Sequence, residues 1–286
     1  MRGAEGMREV SMEVLQVFEY AFVIRALIAG SFVALLCANL GVLLVLRRLS
    51  LIGDGLAHVT FGTVALGLFL RVQPVYISVP VVALSSLAIL KLTEKARVYG
   101  DAAIGIVSAV GVSGGVMLAA VASGFNVDLF SYLFGNILSI TTGEVVTSVV
   151  LSLIVLAVIA SRFEDLLSLS FDEEFARTSG ISTGRINSLL AVLTAVTVVL
   201  TMKLVGIMLT SALLIIPAVS AFQIARSFRG TLVFAASTAI LSVWIGIFLS
   251  FLMNLPTGAT IVLLNFGFFL ALYSAKAFHT FFSPRR

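Results

Sequence analysis

An all-α, polytopic membrane bundle is the fold class this sequence predicts, and three observations predict it. Of 286 residues, 60% are hydrophobic and only 11% are charged, with a mean hydropathy of +1.15. A soluble domain carries about 25% charged residues, so most of this chain belongs in lipid. Apolar runs close to the ~20 residues that a bilayer helix requires recur from one end of the chain to the other. Basic residues collect in alternate connections, the pattern of loops kept on the cytoplasmic side.

The runs read as about nine spans, with eight as the alternative count: 22–46, 53–70, 74–91, 102–123, 144–161, 186–202, 205–225, 231–253 and 258–275. Only Lys203 marks a turn between the sixth and seventh runs, which is why the count is open. Residues 1–20 form an N-terminal tail, expected to be disordered. Residues 21–286 form one transmembrane domain. Arg47 and Arg48, then Lys91, Lys95 and Arg97, then Arg162, Arg177 and Arg185, then Arg226 and Arg229, and finally Lys276, Arg285 and Arg286 all fall on one face if spans alternate. That face is cytoplasmic. The chain is therefore expected to be a multi-pass protein of the inner or plasma membrane, with its N-terminus outside and its C-terminus inside if the spans number nine. Its net charge of +4 and pI near 9.5 follow from this topology and do not point to nucleic acid.

Two connections carry more than a turn. Residues 124–143, on the outer side, contain Leu129-Phe130-Ser131-Tyr132-Leu133-Phe134-Gly135-Asn136-Ile137-Leu138, apolar but too short to span. A re-entrant or surface helix fits it, because irregular backbone at depth survives only where protein covers it. The longest inner loop, about 162–185, holds a short helix. Ser170 or Asp172 caps that helix, acids fill its first turn where the helix dipole favours them, and Gly180 suits its end. Phe171 and Phe175, four residues apart, would form one apolar stripe on it. The stripe reads either as a dock for a cytoplasmic partner or as part of a solvated loop.

Within the spans, Gly111 and Gly115 form a G-x-x-x-G pair that lets helices approach closely. Pro217 should kink or break the seventh span. Cys37 is the only cysteine, which excludes an intrachain disulfide and a Cys-rich metal site. There is no G-x-x-x-x-G-K-[ST] loop and no His-Glu-x-x-His helix. If work here is driven by ATP, another polypeptide binds the nucleotide.

The most informative feature is Asp54 with His58 inside the second apolar run. An ionisable group at membrane depth costs about 2.5–3.5 kcal/mol on insertion scales and is a functional candidate by default. Asp and neutral His both ligate metals, and positions i and i+4 share a helix face. The alternative is a buried Asp–His hydrogen bond that holds two helices together. Two ligands do not close a metal site. Asn39, Ser50 and Thr60 are the nearby polar groups that either add to it or serve helix packing. His279 lies beyond the last span and reads as an interface residue. Asp128 and Glu144 lie outside, as helix-end charges or contacts for an outer partner. The lone Trp244 reads as a packing or interface anchor.

Several stretches together resemble the ABC-3 family of ABC-transporter permeases, which import zinc, manganese or iron. The most recognisable runs from Val45-Leu46-Arg47-Arg48-Leu49-Ser50-Leu51-Ile52-Gly53-Asp54 through His58 to Val64-Ala65-Leu66-Gly67. The others are Gly100-Asp101-Ala102-Ala103-Ile104-Gly105-Ile106, Ser131 to Leu138, Phe171-Asp172-Glu173-Glu174-Phe175-Ala176 with Gly180-Ile181, Leu213 to Pro217, and Pro256-Thr257-Gly258-Ala259. The resemblance covers nearly the whole chain from about residue 20, in order. It implies a transport subunit and not an enzyme. It also implies a dimer of permeases, expected to be a homodimer, with a cytoplasmic ATPase on each and a metal-loaded solute-binding protein outside. By the same resemblance Asp54 and His58 belong to the metal pathway. Phe171, Asp172, Glu173, Glu174, Phe175, Ala176, Gly180 and Ile181 would make the cytoplasmic coupling helix. The transported ion is zinc, manganese or iron, and ATP is bound on the partner. The competing readings are a metal-chelate or other ABC import permease, and a stand-alone cation-coupled carrier that uses Asp54 for protons.

Overall fold

The computed structural model describes residues 20–94, 96, 98–122, 129–136, 140–202 and 204–282. Among these residues there are twelve α-helices and no strand: α1 (Ala21–Leu46), α2 (Ile52–Phe69), α3 (Pro74–Glu94), α4 (Gly100–Val121), α5 (Leu129–Phe134), α6 (Thr142–Ser161), α7 (Phe163–Phe171), α8 (Glu173–Thr178), α9 (Thr183–Thr201), α10 (Thr210–Ile224), α11 (Phe228–Met253) and α12 (Thr257–Phe282). Eight of them, α1, α2, α3, α4, α6, α9, α11 and α12, are long and apolar enough to cross a membrane.

The expected seventh span is the exception. Helix α10 has only 15 residues, about 22 Å against a hydrocarbon core of about 30 Å. Between α9 and α10, Met202, Leu204, Val205 and Ile207 are all buried. Lys203, expected to mark this turn, lies outside the described residues. Gly206 has φ +91° and leads into a 3-10 turn over Ile207–Leu209. A Cβ on Gly206 would run into the Leu133 carbonyl, and one on Gly258 into the Val205 carbonyl. The end of α5, the break before α10 and the start of α12 therefore meet backbone to backbone. Buried hydroxyl pairs flank this knot, Thr201 with Thr210 and Ser250 with Thr257, each at 2.8 Å. The outer segment expected to re-enter is thus a one-and-a-half-turn helix packed on irregular backbone, as depth requires. Ile137 and Leu138, its expected end, fall outside the described residues, as does the tail over 1–19.

Helices α1 and α2 occupy the centre. Helix α1 packs on α6, α10 and α11, and α2 packs on α3, α4, α9 and α10. The G-x-x-x-G pair of α4 makes its closest contact with α2. A Cβ on Gly111 would sit 2.7 Å from the Val59 Cα, and one on Gly115 2.8 Å from the Phe61 ring. Across α2, the Thr63 hydroxyl donates to Ser78 of α3 at 2.8 Å, both buried. Cys37 is buried in the core of α1. Pro217 does not break its helix: α10 runs unbroken through it, with Pro217 buried. Pro80 is likewise carried inside α3. In a bundle, neighbouring side chains and local adjustment satisfy the carbonyl that a proline leaves without a donor.

Adding a methyl at Gly111 forces α2 and α4 apart, whereas Gly114 on the same helix meets nothing within 4 Å. Overpacking costs about 1–3 kcal/mol, and the helix preference for alanine returns about 0.5–1 kcal/mol. Gly111→Ala is expected to lower the thermal unfolding midpoint of the detergent-solubilised chain. Gly114→Ala is expected to leave it unchanged or raise it slightly.

Candidate functional site

Helix α2 begins at Ile52, and Asp54 lies in its first turn, where the exposed N–H groups favour an anion. One turn on, His58 projects from the same face, as the i, i+4 spacing requires. Nε2 of His58 stands 3.7 Å from Oδ2 of Asp54, with the His58 side chain 29% and the Asp54 side chain 50% exposed. That separation exceeds a hydrogen bond. Two ligands each about 2.1 Å from an ion stand about 3.4 Å apart at the tetrahedral angle, so the gap suits a cation between them. Their exposure leaves both atoms reachable. The alternative of a direct Asp–His hydrogen bond tying two helices together is not what the geometry presents, since both groups sit on one helix and do not bond.

Among the described residues, no further His, Cys, Asp or Glu joins them in a cluster that could hold a metal. Two of the additional candidates turn away. The Thr60 hydroxyl is buried and donates to the Leu56 carbonyl at 2.8 Å, and Asn39 donates to the Leu35 carbonyl at 2.7 Å. Both serve their own helices. Ser50 is half-buried in the turn before α2. Nδ1 of His58 is buried without a hydrogen-bond partner among the described residues, so no such bond fixes the imidazole. The group that sequence reasoning missed is Ser211, in the first turn of α10, whose hydroxyl donates to Oδ1 of Asp54 at 3.4 Å. It lies 157 residues away, and no local pattern announces it.

The loop expected on the inner side is two helices and not one. Asp172 is extended (φ −153°, ψ 106°) and separates α7 from α8. Its carboxylate caps α8 by accepting from the backbone N–H groups of Glu174 and Phe175 at 2.9 and 3.0 Å. Phe171 therefore ends α7 while Phe175 sits in α8, and the stripe expected on a single helix does not form. The cap satisfies two N–H groups that a continuous helix would have bonded to upstream carbonyls. Both rings remain largely exposed, at 66% and 62%, and Phe171 also meets Phe228 of α11 edge-on at 5.9 Å. Gly180 closes α8 with φ +87°, as its position suggested. The Ile181 N–H reaches the Ala176 carbonyl at 3.0 Å and the Gly180 N–H the Arg177 carbonyl at 3.2 Å, the paired bonds of a left-handed helix cap. Ala176 is fully buried, so α8 has an inner face as well as an outer one.

Arg47 ties this segment to the core. Its guanidinium donates to Oε2 of Glu173 at 2.9 Å and to Asn187 of α9, with only 11% of the side chain exposed. Burial pushes the Arg47 pKa down, and the charge and hydrogen bond of Glu173 pull it back up. Glu173 also faces Arg177 at 3.9 Å.

The remaining candidates have local roles. Glu144 and Thr141 form a reciprocal cap on α6, the Glu144 carboxylate accepting from the Thr141 N–H at 2.9 Å. Trp244 donates from Nε1 to the Ser31 hydroxyl at 2.8 Å, joining α11 to α1. Arg25, near the N-terminal end of α1, donates to the Ile140 carbonyl at 3.0 Å. Asp128 lies outside the described residues, and His279 lies in the last turns of α12. Gly111-Val112-Ser113-Gly114-Gly115 fits the pattern of a hydrolase nucleophile elbow. It lies inside a continuous membrane helix, whereas the elbow needs a strand-to-helix turn.

The model of the ABC 3 transport family matches residues 19–276. The chain belongs to the ABC 3 transport family. Among members of this family, it is 33% identical over 261 residues to the high-affinity zinc uptake system membrane protein ZnuB of Haemophilus influenzae, covering 91% of this chain and 99% of that one. It is 29% identical over 269 residues to the manganese transport system membrane protein MntC of Listeria monocytogenes, covering 94% and 96%. Its fold matches PsaBC from Streptococcus pneumoniae, solved in complex with Fab, with a TM-score of 0.85 and 27% identity over 96% of this chain and all of that one. As an ABC 3 chain it is a membrane transport subunit, not an enzyme, and a stand-alone carrier is not favoured.

The grip of Glu173 on both Arg47 and Arg177 predicts that Glu173→Gln loosens α8. Trypsin cleavage after Arg177 in solubilised protein should speed several-fold, while Glu174→Gln leaves it unchanged.

Proposed function

We propose that this chain is the permease subunit of an ATP-driven importer of a divalent transition metal ion, zinc, manganese or iron. The observation that carries the proposal is the Asp54–His58 pair on α2, 3.7 Å apart and reachable, in a chain of the ABC 3 transport family. The printed functions of ZnuB and MntC support a metal ion as cargo. In this reading an outer binding protein releases the ion to the permease. The ion passes Asp54 and His58, which hold it weakly enough to let it leave, and exits on the cytoplasmic side.

The sequence has no phosphate-binding loop, so ATP is hydrolysed by a separate cytoplasmic subunit. Its docking surface is the segment from Phe171 to Ile181, where exposed Phe171 and Phe175 flank the capped turn at Asp172. Two permease chains, identical in the simplest case, form the working unit. In this reading α10 and the buried break before it complete a ninth crossing, and the basic loops then favour a cytoplasmic side for this segment and the C-terminus and an outer side for the N-terminus.

Two experiments test this. Tagged chain extracted from native membranes in mild detergent should bring down an ATPase subunit, and Phe171→Asp/Phe175→Asp should lose it. Wild-type chain that is well folded and repeatedly purifies alone would overturn the ATPase partnership. In vesicles holding the complete transporter, Asp54→Ala and His58→Ala should each lower ATP-dependent uptake of radiolabelled zinc or manganese by about tenfold or more, with ATPase association intact. Unchanged uptake in both would remove these residues from the ion's route.

A further inference from the structure

Within the membrane helices, many hydroxyl side chains bond back to their own helix, although Thr63 also reaches across to Ser78. Ser31 donates to Leu27, Thr60 to Leu56, Thr194 to Leu190, Thr197 to Leu193 and Ser220 to Ile216, each bonding the carbonyl one turn back on its own helix. That is the default for Ser and Thr at depth. Thr210, the first residue of α10, follows it by donating to Gly206. Ser211, the next residue, does not. Its hydroxyl crosses between helices to Oδ1 of Asp54.

The crossing is held in place by packing. Leu214, three residues on and therefore on the same face of α10, wedges against both central helices. A Cβ on Gly53, the neighbour of Asp54, would lie 2.8 Å from the Leu214 Cδ1. A Cβ on Gly41 of α1 would run into the Leu214 carbonyl. These two glycines let α10 approach until the start of that helix stands beside Asp54. The two oxygens of the carboxylate are then divided. Oδ1 faces the Ser211 hydroxyl in a long hydrogen bond of 3.4 Å, and Oδ2 faces Nε2 of His58 at 3.7 Å.

We infer that Ser211 is a positioning residue for the metal site: by donating to Oδ1 it fixes the Asp54 carboxylate so that Oδ2 and His58 Nε2 present a two-atom grip to a divalent cation. This rests on the metal-pathway reading above and adds a third residue, from a different helix, to it. A neutral donor suits the task. It orients the carboxylate without cancelling the charge that attracts the ion, as a lysine or arginine at that place would do. Since Asp54 and His58 share one helix, their mutual spacing is set locally. Which carboxylate oxygen faces the imidazole is not, and Ser211 supplies that choice.

The test uses the full-length permease in lipid nanodiscs and Co2+ as the probe, read by its visible absorption and by titration. Ser211→Ala is expected to weaken Co2+ binding about tenfold, the usual effect of losing a group that orients a ligand, and to change the positions of the absorption bands. Ser211→Thr, which keeps the hydroxyl, is expected to restore both. Wild-type affinity and spectrum in Ser211→Ala would overturn the inference. Equal weakening in the Ala and Thr variants would overturn it too, because the hydroxyl would not be the operative group. Asp54→Ala separates this from the underlying reading. If it loses Co2+ while Ser211→Ala does not, only the positioning role falls. If it binds Co2+ as wild type does, the metal site falls, and the inference with it.

Discussion

The close approach of α2 to its neighbours is the constraint on which the rest of the structure depends. Apolar side chains gain little by leaving lipid for protein, so helices associate in a membrane where small residues let backbones touch. Here Gly62, Gly111 and Gly115 bring α4 onto one side of α2, and Gly53 with Gly41 admits α10 on another. The result is an inner helix walled by α3, α4, α9 and α10. Helix α2 is the least apolar of the eight long ones, and the wall buries its Thr60 and Thr63 while Asp54 and His58 stay partly exposed. Helix α4, largely exposed on its far side, can be strongly apolar because it meets the lipid in place of α2.

A second dependence runs through Arg47. Arginine stays charged under all ordinary conditions, and a buried cation without its partner is strongly destabilising. The guanidinium joins the end of α1, the start of α8 through Glu173 and the body of α9 through Asn187. Arg47 stands at the end of α1, and the turn that follows it opens α2, the helix that bears Asp54. The segment proposed to meet an ATPase is therefore anchored to the stretch of chain that leads straight into the candidate site, and not to a distant part of the bundle.

What sequence shows here, and what it does not, follows from range. The i, i+4 geometry of Asp54 and His58 is a property of one helix, so spacing alone placed the pair on one face. The Gly111/Gly115 approach and the Gly180 cap are equally local and were legible for the same reason. Ser211 was not, because its partner lies on another helix and only the wedge of Leu214 between Gly41 and Gly53 brings the two together. The stripe of Phe171 and Phe175 failed on a competition that spacing does not resolve. Asp172 is a capping residue by type, but a cap begins a new helix, and that separates the two rings. The seventh span was expected at full length because its residues are apolar. They are apolar because they are buried in protein around Gly206, where hydropathy alone does not distinguish a lipid-facing helix from a core one.

The burial of Cys37 has a practical consequence. The chain owns a single thiol, and that thiol lies in the packed interior of α1 with no exposed surface. Water-soluble maleimides and spin labels have no route to it in the folded protein. The natural sequence is thus already silent toward such reagents. A cysteine introduced on either face, at an exposed position such as 76 near the expected outer end of α3 or 175 in the inner loop, would report alone. Sidedness and motions of the loop around Phe175 become measurable by labelling without first replacing a core residue.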